Sequence, residues 1–279
     1  MSGSKTSWVA VRRGQGDVIV LLHCLGADRH LWDGIIGSLS CRFDTVTCDL
    51  PGHGVQICPS ESYTIENLTD QLAEMLASAG IARAHIAGVS LRGLIAQDFA
   101  ARYADRTAGL VLIDTIARYP DSMRTMWLQR AKVARAEGMA ALIPVTLETW
   151  FSPQFLAADN SELRYARAVL GATSPEGYAL ACEALANADL ASRASSIRAP
   201  TLLLCGSDEM AVFKDAALWF AQHISGATLQ WLTPARHMGV LQQPELIAAH
   251  MMSFLCPSKS YGGSQGTEES RFAYSQHKA

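Results

Sequence analysis

Ala84-His85-Ile86-Ala87-Gly88-Val89-Ser90-Leu91-Arg92-Gly93-Leu94-Ile95-Ala96 is the stretch that decides the fold. The apolar run to Ala87 predicts a strand, Gly88 to Ser90 a sharp turn, and the alanine-rich segment to about Tyr103 a helix. A serine at such a corner stands clear of both elements. The helix behind it supplies unpaired N–H groups and a positive dipole end, which suit a developing oxyanion. This is the nucleophile-elbow spacing, which calls for a small residue two places before and two places after the serine. Gly88 fills the first place, but Arg92 occupies the second. A serine flanked by glycine also occurs in plain βα turns, so the weight falls on the flanking segments.

Outward from this stretch, strand and helix patterns alternate. Asp17 to Leu22 is an aliphatic run of the kind found in strands buried on both faces, and Phe43 to Cys48 and Ala108 to Ile113 read as further strands. Between them, Leu31 to Leu39 and Tyr63 to Ala79 carry apolar residues at helical spacing. This β-α-β-α-β succession predicts a mostly parallel, doubly covered sheet with its site at the carboxyl ends of the strands. From about Thr115 to Ser195 the strand signal vanishes. Met123–Glu137, Met139–Phe151, Asn160–Leu170 and Pro175–Ala188 read as helices, which together would form a lid inserted at 117–195 between core segments 1–116 and 196–257. The sheet resumes at Thr201–Leu204 and Thr228–Leu232, with helices at Lys214–Ile224 and Pro244–Phe254. Residues 258–279 are polar, lack an apolar period and are expected to be disordered.

Composition narrows the function classes. A chain of 279 residues with 49% hydrophobic and 18% charged residues has enough apolar sequence for a large core. The net charge of −3, without a basic run, argues against nucleic acid or an acidic membrane as partner. No apolar run reaches the roughly 18 residues of a membrane span, and the first thirteen residues lack a secretory core, so a cytoplasmic address is expected. The seven dispersed cysteines show no C-x-x-C spacing of a metal or redox site and read as reduced core residues. The expected partner is a small-molecule substrate, on a monomer or small homo-oligomer.

A serine hydroxyl needs a base in hydrogen-bond reach and an acid to orient that base. His237, between the last strand and the last helix, is the candidate base. Three carboxylates compete as the acid: Glu209 first, from its Gly-x-x-acid spacing after Gly206, then Asp114 at the end of the preceding strand, then Asp208. The oxyanion donors would be the amides of Leu91 and of Leu25, the latter in the loop His23-Cys24-Leu25-Gly26.

These motifs, with Asp49-Leu50-Pro51-Gly52-His53-Gly54 and Ala235-Arg236-His237, stand in the order of the α/β-hydrolase superfamily, which the chain resembles from about Val18 to Leu255. Within it the chain resembles the 3-oxoadipate enol-lactonases of aromatic catabolism. That similarity extends into the expected lid, at Asp114 to Arg118, Glu148 to Phe155 and Thr173 to Ala179. The resemblance implies an α/β-hydrolase fold, cofactor-free hydrolysis of a lactone bearing a free carboxylate, Ser90 as nucleophile and His237 as general base. Arg92, Cys24 and Asp114 depart from the family pattern. Arg92 reads either as packing between helices or as a cation holding an anionic substrate, with Arg118 as the next cation. Trp127, Trp150, Phe151 and Tyr178 are candidates for the pocket roof, Trp150 foremost. Two other readings are a carbon–carbon or amide bond hydrolase, which Asp114 as working acid would favour, and a ligand sensor with little turnover, which a spoiled elbow at Arg92 would favour.

Overall fold

The computed structural model describes residues 10–256. Its seven strands are β1 (Ala10–Gly14), β2 (Asp17–Leu22), β3 (Phe43–Cys48), β4 (Ala84–Val89), β5 (Thr107–Ile113), β6 (Thr201–Gly206) and β7 (Thr228–Leu232). They form one sheet in the order β1-β3-β2-β4-β5-β6-β7, parallel throughout except for the antiparallel edge pair β1 and β3. β3, β4 and β6 are buried along their whole length; β6 accordingly reads as a continuous apolar run, whereas β3 also buries Asp44, Thr45 and Thr47.

β1 has no counterpart in the sequence reading. Its residues are mostly exposed, so no apolar face betrays it. Tertiary partners hold it instead: Arg12 pairs with the buried Asp44, and Thr45 donates its hydroxyl to the carbonyl of Arg13 at 2.8 Å.

Helices cover both sides of the sheet. α1 (Asp33–Leu39) is followed by α2 (Ile65–Ser78) and α3 (Leu91–Arg102). α2 starts at a capping box, in which the Thr64 hydroxyl accepts the Asn67 amide and the Asn67 side chain accepts the Thr64 amide. Between β5 and β6 lie α4 (Asp121–Glu137), α5 (Ile143–Trp150), α6 (Pro153–Ala157), α7 (Ser161–Ala172) and α8 (Pro175–Asn187), with no strand among them. After β6 come α9 (Ala211–His223), α10 (Gly239–Gln242) and α11 (Pro244–Leu255), the last packed on α1. The long helix expected over Met139–Phe151 divides into a 3₁₀ turn and α5, with Pro144 in the first turn of α5, where a missing N–H costs nothing. α6 and α10 are too short to show a period.

The five inserted helices leave and re-enter the core through one neck. There Arg118 and Asp189 form an antiparallel bridge, and Leu190 donates its amide to the carbonyl of Ala117 at 2.9 Å. A second contact seats the insertion. A Cβ on Gly52 would stand 2.5 Å from the Cα of Gly177, so the Asp49–Gly54 loop and the start of α8 touch backbone to backbone. Of the seven cysteines, all free, Cys24, Cys48, Cys182 and Cys205 are core residues as expected. Cys41 is exposed and Cys58 and Cys256 are half-buried, which corrects the core reading for those three. The tail expected to be disordered, 258–279, lies outside the described residues. Among the described residues no helix is long and apolar enough to cross a membrane, and no cluster of His, Cys, Asp or Glu could hold a metal ion.

Candidate active site

Ser90 sits between β4 and α3 with φ 53° and ψ −117°, a backbone conformation that non-glycine residues rarely adopt. Its surroundings hold it there. Its amide donates to the carbonyl of Ile113 at 2.9 Å, and its own carbonyl accepts the Thr115 hydroxyl at 2.7 Å. The turn is tight enough to exclude side chains at two glycines. A Cβ on Gly88 would lie 2.4 Å from the carbonyl oxygen of Arg92, and one on Gly93 would lie 2.3 Å from the Thr115 hydroxyl. The close approach on the far side of the serine therefore falls on Gly93, not on position 92.

The guanidinium of Arg92 turns into the core. Arg92 is fully buried and donates from Nη1 to the carbonyl of Cys48 at 3.0 Å, tying the first turn of α3 to the end of β3. Burial lowers its pKa, and the nearby Cys48 and Asp49 oppose the shift. It is not part of the cavity that Ser90 lines. The substrate-binding reading of Arg92 is thereby corrected to a structural one. Arg118 is corrected as well. It is half exposed, pairs with Asp189 at 3.5 Å, and lines a separate groove with Pro120 and Trp219.

His237 lies in the loop after β7, and its Nδ1 is 2.7 Å from Oε2 of Glu209, both side chains being buried. Glu209 accepts the Met210 amide on its other oxygen at 2.6 Å. Burial lowers the pKa of His237, but the charge and hydrogen bond of Glu209, with the charge of Asp114, outweigh it and leave the value raised above 6.5. With Nδ1–H assigned toward the carboxylate, Nε2 is left as the basic nitrogen. Of the three candidate acids only Glu209 makes this bond. Asp208 is exposed and accepts from the Ser207 hydroxyl at 3.1 Å, which removes it from the site. Asp114 is buried at φ 44° and accepts the Gly206 amide at 2.9 Å rather than binding His237. Burial, then the charge of Glu209, push its carboxyl up to about 7, against the pull of His237.

The loop that carries Leu25 is fixed by His23. The fully buried ring faces the carbonyl of Cys24 with Nδ1 at 2.7 Å and accepts the Leu50 amide on Nε2 at 2.9 Å. Desolvation, with the nearby Arg92, keeps its pKa well below 6.5 and so keeps the ring neutral, as that donor and acceptor pair requires. Leu25 lines the cavity beside Ser90, and Leu91, as the first residue of α3, has an amide with no partner inside its own helix. Cys24 also reaches the cavity, but burial pushes its thiol up to about 12, so it stays protonated and unreactive.

Ser90, His237 and Leu25 open onto one cavity of about 130 Å³, roofed by α4, α5 and the start of α8. Trp127, Trp150 and Tyr178 line it as expected, whereas Phe151 stacks on Phe155 at 4.7 Å and is not in the lining. Sequence reasoning missed Phe213, whose ring centroid is 4.7 Å from that of His237, and Arg130, a lid cation in the same wall. The only sequence signal for Arg130 is its spacing of three from Trp127 on one helix face. The roof is tied to the loop of His237. The amide of Met238 donates to the carbonyl of Trp150 at 3.2 Å, and Arg236 donates to the carbonyls of Glu148 and Phe151 at 2.9 and 3.2 Å.

A strained serine before a helix, a buried Glu–His pair and a small shared cavity make a constellation suited to acyl transfer. The sequence profile described as alpha/beta hydrolase fold matches residues 17–244.

The chain belongs to the α/β-hydrolase fold family.

Its relatives in that family are hydrolases, and the esterase- or lactonase-like enzyme expected from the sequence agrees with them. The chain is 30% identical over 227 residues to 3-oxoadipate enol-lactonase 1 of Acinetobacter baylyi, covering 81% of this chain and 84% of that one. It is 29% identical over 238 residues to the pimeloyl-[acyl-carrier protein] methyl ester esterase of Chromobacterium violaceum, with 83% and 91% covered. The crystal structure of the enol-lactonase from Burkholderia xenovorans superposes with a TM-score of 0.85 at 32% identity, covering 89% of this α/β hydrolase and 96% of the other chain. The resemblance read from the sequence motifs is thus borne out at the level of family.

Proposed function

We propose that this α/β hydrolase opens a small carboxylated ester or lactone, of the 3-oxoadipate enol-lactone kind, through an acyl-enzyme on Ser90. The observation that carries the reading is the 2.7 Å bond between Glu209 and His237 at the cavity that Ser90 lines. The two enol-lactonase relatives favour a lactone.

In the proposed reaction, Nε2 of His237 takes the Ser90 proton as Oγ attacks the carbonyl, and Glu209 stabilises the imidazolium that results. The amides of Leu25 and Leu91 receive the oxyanion. As the tetrahedral adduct collapses, the ring C–O bond breaks and His237 returns the proton to the departing oxygen. Water, deprotonated by His237, then cleaves the ester to Ser90. The net change is one lactone and one water converted to one open-chain acid.

The features that would have favoured the other two readings are absent. Asp114 does not bind His237, which weakens the case for a carbon–carbon or amide bond hydrolase, and the side chain of Arg92 turns away from Ser90 into the core, which weakens the case for a sensor.

The test is a panel of short p-nitrophenyl esters and small carboxylated lactones offered to the wild type and to Ser90→Ala. The expected result is turnover by the wild type and a loss of about 10³-fold or more in the variant. Equal turnover by the two would overturn the proposal.

A further inference from the structure

Apart from His237, Arg130 is the only basic side chain in the described lining of the Ser90 cavity. The rest of that wall is aromatic, aliphatic or neutral. Arg130 projects from α4, donates from Nε to the Tyr178 hydroxyl at 3.1 Å and bonds through Nη2 to the Thr146 hydroxyl. Its guanidinium carbon also lies 5.5 Å from the ring centre of Trp127 and 5.9 Å from that of Tyr178. These partners are neutral, and among the described residues no carboxylate lies within ion-pairing distance of it. By contrast, the neighbouring α4 cations Arg124 and Arg135 pair with acidic side chains.

A cation held by two hydroxyls and two rings at a cavity wall is oriented but not neutralised. Thr146 and Tyr178 are both buried, so the guanidinium plane is set before a ligand arrives. Nη1 makes no bond to protein among the described residues. An anion entering the cavity would meet a preorganised, charge-assisted donor among neutral neighbours. The cavity, at about 130 Å³, is close to the roughly 150 Å³ that accommodates one benzene ring, so the anion must belong to a small molecule.

From this placement we infer that Arg130 binds the carboxylate of the substrate and sets the enzyme's preference for anionic over neutral esters and lactones. The inference rests on the proposed reaction at Ser90 for the other end of the substrate. The carboxylate sits against α4 and the scissile carbonyl against Ser90, so the distance between the two groups of the substrate becomes a selected feature. Thr146 and Tyr178 act as positioning residues for the guanidinium.

The experiment compares a carboxylate-bearing lactone with its neutral amide counterpart in the wild type, Arg130→Gln and Arg130→Lys, and reads the ratio of their kcat/KM values. The expected result is a fall in that ratio of about 10- to 100-fold in Arg130→Gln, carried mainly by KM, with partial recovery in Arg130→Lys. An unchanged ratio in folded Arg130→Gln overturns the inference. Calorimetry with adipate as the probe gives a second readout that needs no turnover. Binding by the wild type that is lost in Arg130→Gln supports the carboxylate site even if neither substrate is hydrolysed, in which case the proposed reaction alone fails. Equal binding by both proteins, or none by the wild type, overturns the site. If Arg130→Gln does not fold, Arg130→Lys, which keeps the charge but loses the fork, and Tyr178→Phe, which removes the Nε contact, decide by the same two readouts: both are expected to weaken adipate binding several-fold, and a wild-type ratio and affinity in both variants overturn the inference.

Discussion

Arg92 donates from Nη1 to the carbonyl of Cys48 at 3.0 Å, across the gap between the first turn of α3 and the end of β3. The residue that breaks the elbow pattern is therefore a fastening inside the core. Replacing it with the glycine usual at that place removes a large, fully buried side chain and leaves a carbonyl without its donor. Arg92→Gly is expected to lower stability by about 3–5 kcal/mol, measured by urea unfolding. The preference for anionic over neutral substrates should remain as in the wild type. A collapse of that preference in folded protein would return Arg92 to the binding site.

Glu209 raises the pKa of His237 by its charge and hydrogen bond, against the lowering effect of burial. A general base must be neutral to act, so kcat/KM is expected to rise with pH and to reach half its plateau above pH 6.5. Glu209→Gln removes the charge that favours imidazolium. The half-point should move to lower pH while the plateau falls by about 10²- to 10⁴-fold. A pH–rate profile that keeps its half-point would show that Glu209 does not orient the base.

Asp114 carries a carboxyl pushed up to about 7 by burial and by the charge of Glu209. A group whose folded value is raised adds stability that is complete below its unfolded value near 3.8 and is lost as pH rises through about 7. Asp114→Asn keeps an oxygen for the Gly206 amide, and asparagine tolerates the positive φ at this position. The variant is expected to lose less of its stability between pH 5 and pH 8 than the wild type, the remainder coming from His237, whose raised value acts with the same sign. Activity should stay within about tenfold of wild type, well above that of Glu209→Gln. Urea midpoints at the two pH values, with kcat/KM, check both statements.

The sequence alone determined the parallel sheet, its helical insertion and the positions of Ser90 and His237. Buried parallel strands leave unbroken apolar runs, and turns at strand ends leave glycine and proline, so both are written locally. The tight approach at Gly88 is legible too, whereas the backbone contact between Gly52 and Gly177 emerges only from the fold. What the sequence left open is what depends on side-chain direction. Spacing ranks Glu209 ahead of Asp114 and Asp208 without deciding among them; the course of the loop after β6 brings Glu209 to His237 and exposes Asp208, while Asp114 after β5 accepts from Gly206. The cations were likewise undecided. Arg92 lies two residues from the serine yet faces the core, whereas Arg130, forty residues away in sequence and on an inserted helix, shares its cavity. Distance along the chain carries no information about which face of a helix meets the site once that helix is folded over the strand ends, and only tertiary packing supplies it.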